Sequence, residues 1–242
     1  MAPRPVPAAG TLSVIVPLAP GETEWEGLLA QLAALPAGSE VVVVRAVEAA
    51  GGSAVDAPLP TGWPAHVRYR SCHAQAGRAR QLNHGARSAS GYWLWFLHAD
   101  SRLRADSLDE LRKFVASDRD GLGWFKLAFR RDGPRCMVLN ALGANWRARW
   151  LGLPFGDQGL ILPRHSFQAL HGFDEHAAYG EDHLLVWAAR RAGLPLRAIP
   201  ATLETSARKY AQQGWMRTTC RHVWLTLVQA WPVWRALRRD RA

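Results

Sequence analysis

The sequence predicts an α/β fold with a mostly parallel central sheet flanked by helices, and three observations carry that prediction. Residues Leu12 to Val16, Val41 to Val44 and Tyr92 to Leu97 are short, unbroken apolar runs, the pattern of strands buried on both faces. Two amphipathic stretches lie between them. Trp25, Leu28, Leu29, Leu32 and Leu35 repeat at helical spacing, and so do Ala79, Leu82, Ala86 and Ala89. The resulting order of strand, helix, strand, short strand, helix, strand is that of a domain built on a parallel sheet.

In chain order, the first strand is expected to end at Pro17, and the first helix to close at Pro36, Ala37 and Gly38. Gly51 to Pro64 is rich in Gly, Pro and Ala and reads as a loop, with His66 to Arg70 a short strand after it. The aromatic strand from Tyr92 follows the second helix at once and runs into His98-Ala99-Asp100. Further on, Leu122 to Phe129 reads as a strand, Met137 to Trp150 as a short helix and Gly159 to Leu162 as a strand. A helical turn is expected from His165 to Leu170. Glu181 to Ala192 reads as a helix capped by Gly193 and stopped by Pro195, before a late strand from Leu196 to Ile199. The tail from Trp215 is helical, with Trp224, Leu227, Val228 and Trp231 on one side and a kink or break at Pro232. The organisation expected is one domain over residues 1–242. Its halves meet near residue 100, and a basic, Trp-rich tail follows residue 210.

A chain of 242 residues with 48% hydrophobic content and a mean hydropathy of −0.15 describes a soluble globular protein able to bury a substantial core. The net charge of +10 comes almost wholly from arginine and favours anionic partners: nucleotide phosphates, acidic lipid headgroups or nucleic acid. A plain solvated basic face is the alternative. Three widely spaced cysteines give neither a metal spacing nor a disulfide framework, so a reducing cytoplasm is expected. Residues 1–10 lack the apolar core of a signal peptide. No run of about eighteen apolar residues marks a membrane span.

Three clusters fall at the ends of these elements. In His98-Ala99-Asp100, alternate residues face one site if the extended conformation persists to Asp100. A carboxylate and an imidazole suit a divalent cation that also holds phosphate oxygens. The plainer reading is a turn-starting aspartate beside a core histidine. In Gly77-Arg78-Ala79-Arg80-Gln81-Leu82-Asn83, arginines occupy a helix start that the helix dipole reserves for anions. They raise positive potential there, which suits a bound diphosphate as well as solvent. In Gly180-Glu181-Asp182, paired carboxylates at a helix start suit either capping or a general base for an attacking hydroxyl. The dipole lowers a carboxylate pKa, so Glu181 and burial must offset it for a base of ordinary strength.

The strings Gly77-Arg-Ala-Arg-Gln-Leu-Asn83, Phe96-Leu-His-Ala-Asp100, Gly156-Asp-Gln158, Gly180-Glu-Asp182 and Thr205-Ser-Ala-Arg-Lys-Tyr210, in this order after a strand ending at Pro17, resemble glycosyltransferase family 2. Within that family they are most similar to a small bacterial subgroup described as arsenosugar-biosynthesis glycosyltransferase-like. The resemblance implies a GT-A fold, in which a Rossmann-like nucleotide-binding half and an acceptor-binding half share one sheet. It implies inverting transfer of a sugar from a nucleoside diphosphate donor to an acceptor hydroxyl. Asp100, with His98 in place of the family's first aspartate, would hold Mn²⁺ or Mg²⁺ on the donor diphosphate. Pro17, Glu22, Arg78, Arg80 and Asn83 would line the donor side. Gly156, Asp157, Gln158 and Glu181 would line the acceptor side, Asp182 would be the base, and Arg208 would reach the leaving diphosphate.

Two departures bear on the nucleoside. Pro17-Leu-Ala-Pro-Gly21 replaces the family's Pro-Thr-Leu-Asn-Glu, with Glu22 one position late. Arg45 follows the second strand where an aspartate is usual, and Gly51-Gly52-Ser53 is displaced downstream. They motivate a second reading, a catalytically weak GT-A domain that only binds nucleotide or sugar. A third reading is peripheral contact with an anionic membrane on the cytoplasmic side. It is motivated by Trp215, Trp224, Trp231 and Trp234 beside Arg217, Arg221, Arg235, Arg238, Arg239 and Arg241. No nucleic-acid-binding motif is present, so no nucleic-acid partner is expected.

Overall fold

The computed structural model of the chain describes residues 10–47, 58–117 and 120–239, without the side chains of 227 and 229–239. Gly51-Gly52-Ser53 and Arg241, and the side chains of Trp231, Trp234, Arg235, Arg238 and Arg239, lie outside the described residues.

One eight-stranded sheet organises the molecule. Its strands are β1 (Leu12–Leu18), β2 (Glu40–Val47), β3 (Arg68–Gln75), β4 (Trp93–Phe96), β5 (Arg102–Leu103), β6 (Leu122–Phe129), β7 (Ile161–Pro163) and β8 (Leu196–Thr205), in the spatial order β3-β2-β1-β4-β7-β6-β8-β5. The pairs β1/β2, β1/β4, β2/β3 and β6/β8 are parallel, and β4/β7, β6/β7 and β5/β8 antiparallel, so the mostly parallel sheet expected is the one found. The antiparallel β7 joins the parallel first half to the second half.

The alternation of side chains along the buried strands divides the core into two layers. Val14, Val16, Val41, Val43, Trp93 and Trp95 enter one layer, with Trp25, Leu28, Leu29 and Leu32 of helix α1 (Trp25–Leu32) and Leu111 and Phe114 of helix α3 (Ser107–Ala116). Ile15, Val42, Val44, Leu94 and Phe96 enter the other. They meet Ala79, Leu82 and Ala86 of helix α2 (Arg78–Ser88), Phe167 of α5 (Arg164–Ala169) and Leu185, Val186 and Trp187 of α6 (Glu181–Arg191). The aromatic strand β4 is thus fully buried on both faces, as its composition requires.

Helix α2 sits very close to the sheet. A Cβ on Gly85 would lie 2.5 Å from Ile15 Cγ2, so glycine is what permits the approach. From the same helix Gln81 Nε2 donates to Leu18 O and Val44 O, at 2.8 Å each, and ties α2 to the carboxyl ends of β1 and β2.

Several boundaries differ from expectation. Strand β1 continues through Pro17, which stands opposite Val44, to Leu18; one missing N–H near a strand end is tolerated. Helix α1 stops at Leu32, yet a turn from Leu32 O to Leu35 N keeps Leu35 in the core. Helix α4 is Met137–Trp146, and Arg147–Leu151 is a π-helical turn. Gly159 is left-handed (φ +62°) and closes a 3-10 turn over Gly156–Gln158, so the strand begins only at Ile161. Strand β8 is much longer than expected and carries Pro200 within it. Strand β5, helix α3 and helix α7 (Arg208–Gln213) lie outside the elements expected. Helix α8 (Trp215–Arg239) passes through Pro232 without ending there. Among the described residues no helix is long and apolar enough to cross a membrane.

Candidate active site

The chain enters α6 through Gly180, left-handed at φ +67°, which places Glu181 and Asp182 in the first turn with both side chains buried. Asp182 Oδ2 accepts the Gly156 N–H, and Oδ1 accepts the His183 N–H at 2.9 Å. A Cβ on Gly156 would lie 2.5 Å from Arg78 Nη2 and 2.8 Å from Asp182 Oδ2, so any other residue there would push this group apart. Arg78 reaches in from the start of α2. Its Nε pairs with Glu181 Oε1 at 3.3 Å, and its Nη2 donates to His98 Nε2. Arg78, Leu82, His98, Gly156 and Asp182 line one narrow pocket at the carboxyl end of β4.

The electrostatics of this group are one-sided. Burial pushes the Asp182 carboxyl up, but His183, Arg78, the Gly156 N–H and His98 together outweigh it and hold it at about 2. Asp182 is therefore ionised at neutral pH, and Glu181 and burial do not offset the cations and the dipole as the sequence reading required. Burial, with Arg78 adding to it and Asp182 opposing, lowers His98 to about 3. His98 is a neutral imidazole whose Nε2 lone pair accepts from Arg78, so in this arrangement that nitrogen is not open to a metal.

A second carboxylate lies next to the first. Burial raises Asp157 to about 6; Arg147 works against the shift, and Asp182 adds to it. Asp157 Oδ1 is buried without a hydrogen-bond partner among the described residues. Its cation, Arg147, is lowered by burial to about 10, so it remains charged at neutral pH. The Arg147 guanidinium sits 3.2 Å from the Phe155 ring centroid, and Phe155 stacks on His183 at 3.4 Å. Gln158, by contrast, is a brace. Its Nε2 donates to Phe125 O and its Oε1 accepts the Phe155 N–H, each at 3.1 Å, which shapes the 156–158 turn from inside the core.

Asp100 points elsewhere. The chain leaves β4 after Phe96, and a turn from His98 O to Ser101 N ends the alternation that would have aimed His98 and Asp100 together. Asp100 Oδ2 accepts from Thr205 Oγ1 at 3.1 Å and Ser206 N at 3.2 Å, at the end of β8. Beside it, Asp132 accepts the Ala207 N–H at 2.7 Å. Glu24 pairs with Arg130 at 2.6 Å, Arg102 at 2.9 Å and Arg208 at 3.2 Å. Arg208 is thus held at the β8 end of the crevice. Glu24, Asp132 and Arg130 belong to this cluster and were not singled out by the sequence; apart from the Arg130–Asp132 pair at 3.6 Å, their partners lie far away in the chain.

The remaining donor-side residues divide. Glu22 accepts the Thr23 and Glu24 N–H groups at 2.9 and 2.8 Å and serves the start of α1. Pro17 lies within β1 at its carboxyl end. Arg80 makes no ion pair among the described residues. Asn83 does not face the crevice. Its amide is spent on the 173–175 loop, donating to Phe173 O at 2.8 Å and Glu175 Oε1 at 2.9 Å and accepting the Phe173 N–H at 2.9 Å. Among the described residues no group of three His, Cys, Asp or Glu could by itself hold a metal ion.

A search of curated proteins gives no match. The family model described as glycosyl transferase family 2 matches residues 57–149, a span that includes α2, His98 and Asp100 but ends before Gly156 and Asp182. Among solved structures, S. aureus TarS 1-349 is similar at 18% identity and a TM-score of 0.59, over 81% of this chain and 60% of that one. The same protein in complex with UDP-GlcNAc matches at 18% and 0.59, over 81% and 58%. The mannosyltransferase PcManGT from Pyrobaculum calidifontis, in complex with GDP-Man and Mn²⁺, matches at 21% and 0.52, over 80% and 56%. The chain therefore spans no more than about three fifths of these proteins' lengths. Its architecture, a mixed sheet whose first half is parallel, is the GT-A fold of the glycosyltransferases it is similar to, and residues 57–149 carry the match to glycosyl transferase family 2.

Proposed function

We propose that the protein is an inverting glycosyltransferase that moves a hexosyl or pentosyl group from a nucleoside diphosphate donor to an acceptor hydroxyl by single displacement. The observation that carries the proposal is the buried, ionised Asp182 at the start of α6, in one pocket with Arg78 and His98 at the carboxyl end of β4. Ligands of open α/β sheets bind at such strand ends. The likeness to structures in complex with UDP-GlcNAc and with GDP-Man and Mn²⁺ supports a nucleotide-sugar donor and a divalent ion.

In this reading the donor lies over the half formed by residues 11–100, against Pro17, Arg78 and Arg80, and the acceptor over the half from 101 to 210. Asp182 takes the proton of the acceptor hydroxyl as its oxygen forms a bond to the anomeric carbon. The bond from that carbon to the diphosphate oxygen breaks, and the nucleoside diphosphate leaves. Gly156 holds Asp182 through its N–H, Glu181 positions Arg78, and Asp157 shapes the acceptor side. A diphosphate that recruits Arg78 withdraws one of the cations holding Asp182 down, so donor binding strengthens the base. Only Oδ2 of Asp100 is engaged in the described hydrogen bonds. Asp100, with its second oxygen uncommitted in those hydrogen bonds, would hold a Mg²⁺ or Mn²⁺ ion, which would supply charge neutralisation to the leaving diphosphate. In this reading the protein is cytoplasmic and contacts the inner face of an anionic membrane; the exposed Trp224, Arg217 and Arg221 of α8 support that contact.

A donor screen that reads released nucleoside diphosphate, run on the wild type and on Asp182→Asn, tests the proposal. The wild type is expected to release diphosphate from at least one donor, and Asp182→Asn to lose about 10² to 10⁴ in rate with nucleotide affinity kept. A fully active Asp182→Asn removes Asp182 as the base. If calorimetry with Mn²⁺ detects no binding of any nucleoside diphosphate, the transferase reading fails.

A further inference from the structure

Helix α4 buries Met137 and Ala144 and turns a second apolar stripe outward. Val138, Leu139, Leu142 and Trp146 fall within about a 100° arc at 3.6 residues per turn, opposite the buried side. They are strongly exposed, Leu142 at 63% and Trp146 at 57%, and the π-helical turn extends the stripe to Trp150 at 70%. Helix α8 meets α4 at Asn140. Asn140 Nδ2 donates to Thr219 Oγ1 at 2.9 Å, and Trp215 Nε1 donates to Asn140 Oδ1 at 2.7 Å. Helix α8 buries Thr218 and exposes Met216, Val223, Trp224 (62%) and Val228. A solvated helix face does not normally present this many large apolar side chains, and contiguous exposed patches mark interaction sites.

The charge pattern selects the partner. From Met137 to Leu151 and from Trp215 to Arg239 there is no Asp or Glu, while Arg149, Arg217 and Arg221 are exposed beside the apolar residues and Arg135 precedes α4. Tryptophan and leucine on one face with arginines at its edge, and no acid, is the composition of a helix that lies in a membrane interface. An acidic protein partner would require specific ion-pair geometry. A lipid surface requires only the apolar face and the positive rim. We infer that the exposed faces of α4, its π-helical extension and α8 form one docking surface for an anionic phospholipid bilayer. This rests on the peripheral-membrane part of the proposed function and is independent of glycosyl transfer.

Flotation of the full chain with phosphatidylcholine vesicles, with and without phosphatidylglycerol, tests the surface. Binding is expected to the phosphatidylglycerol vesicles at low salt and to weaken as salt rises. Trp146→Glu with Leu142→Glu, and separately Trp224→Glu, are each expected to weaken it about tenfold or more. These side chains are exposed, so circular dichroism and nucleoside diphosphate affinity should not change. Arg149→Glu with Arg221→Glu provides a second set that leaves the apolar residues in place and should lower binding to anionic vesicles alone. Failure to float with either vesicle overturns the inference, and so does binding that none of the variants alters. A dimer in light scattering that Trp146→Glu dissolves, without vesicle binding, would assign the face to a second copy of the chain instead. Loss of nucleotide binding with vesicle binding intact would count against the transferase reading and leave this surface standing.

Discussion

Asp157 is held in a setting that opposes its charge, and Asp157→Asn measures how strongly. Burial and the neighbouring Asp182 raise its carboxyl from 3.8 to about 6, against the pull of Arg147. The sign follows from proton binding in the two states. Below about pH 4 both folded and unfolded chains hold the proton, and the group contributes nothing. Between there and about 6 the unfolded chain has released its proton and the folded chain has not, so stability falls as pH rises. Above 6 the penalty is complete, and a displacement from 3.8 to about 6 corresponds to about 3 kcal/mol. Asparagine keeps the shape and removes the titration. Urea unfolding of wild type and Asp157→Asn at a series of pH values reads the difference directly. The variant should match the wild type near pH 3.5 and exceed it by up to about 3 kcal/mol at pH 7, a rise of roughly 6 to 12 °C in Tm for a chain of this size. Acceptor-side function should suffer in the same variant, because strained polar groups of this kind are retained where a site needs them. Stability curves that remain parallel from pH 3.5 to 8 would refute the reasoning, since they would mean that Asp157 ionises as freely folded as unfolded.

Asp100→Ala should weaken nucleoside diphosphate binding in the presence of Mn²⁺ and leave binding without metal nearly unchanged; calorimetry with and without chelator compares the two, and an unaltered metal dependence would move the ion to other ligands. Gln81→Leu removes two buried hydrogen bonds and orphans the Leu18 and Val44 carbonyls, so it should cost about 2 to 3 kcal/mol in urea unfolding; a loss below about 0.5 kcal/mol would show that α2 is held to the sheet by its apolar face alone.

The elements with strong local signals were legible in the sequence. The unbroken apolar runs of β1, β2 and β4 and the stripes of α1 and α2 each reflect a face the chain must bury, and a buried face is written in residue order; α6 was marked by Gly193 and Pro195 at its end. Strand β6 was placed with its observed bounds, Leu122–Phe129, for the same reason. Helix α3 carried readable signals too, with Leu111 and Phe114 inward and Asp109 and Glu110 in its first turn, but it follows two turns that hide its start. The outward stripe of α4 was not legible as such. Periodicity locates an apolar face without saying whether anything covers it.

For the candidate site, the residue types at three element ends were determined by the sequence alone: a carboxylate after β4, arginines opening α2 and paired carboxylates opening α6. Their partners were decided only by tertiary structure. Strand alternation aimed His98 and Asp100 at one point, but the chain leaves the extended conformation after Phe96, and the two diverge, His98 to Arg78 and Asp100 to the end of β8. Asn83 and Gln158 have the composition of ligand contacts, and both are consumed by backbone groups across the core. The charge state of Asp182 was only partly legible: His183 stands next to it in sequence, but burial opposes ionisation, and Arg78, about a hundred residues earlier, and the Gly156 N–H reach it only through the fold. Local order in the chain specifies which faces must be buried. Which charges then share a pocket depends on distances between segments, and those exist only once the sheet has brought the strand ends together.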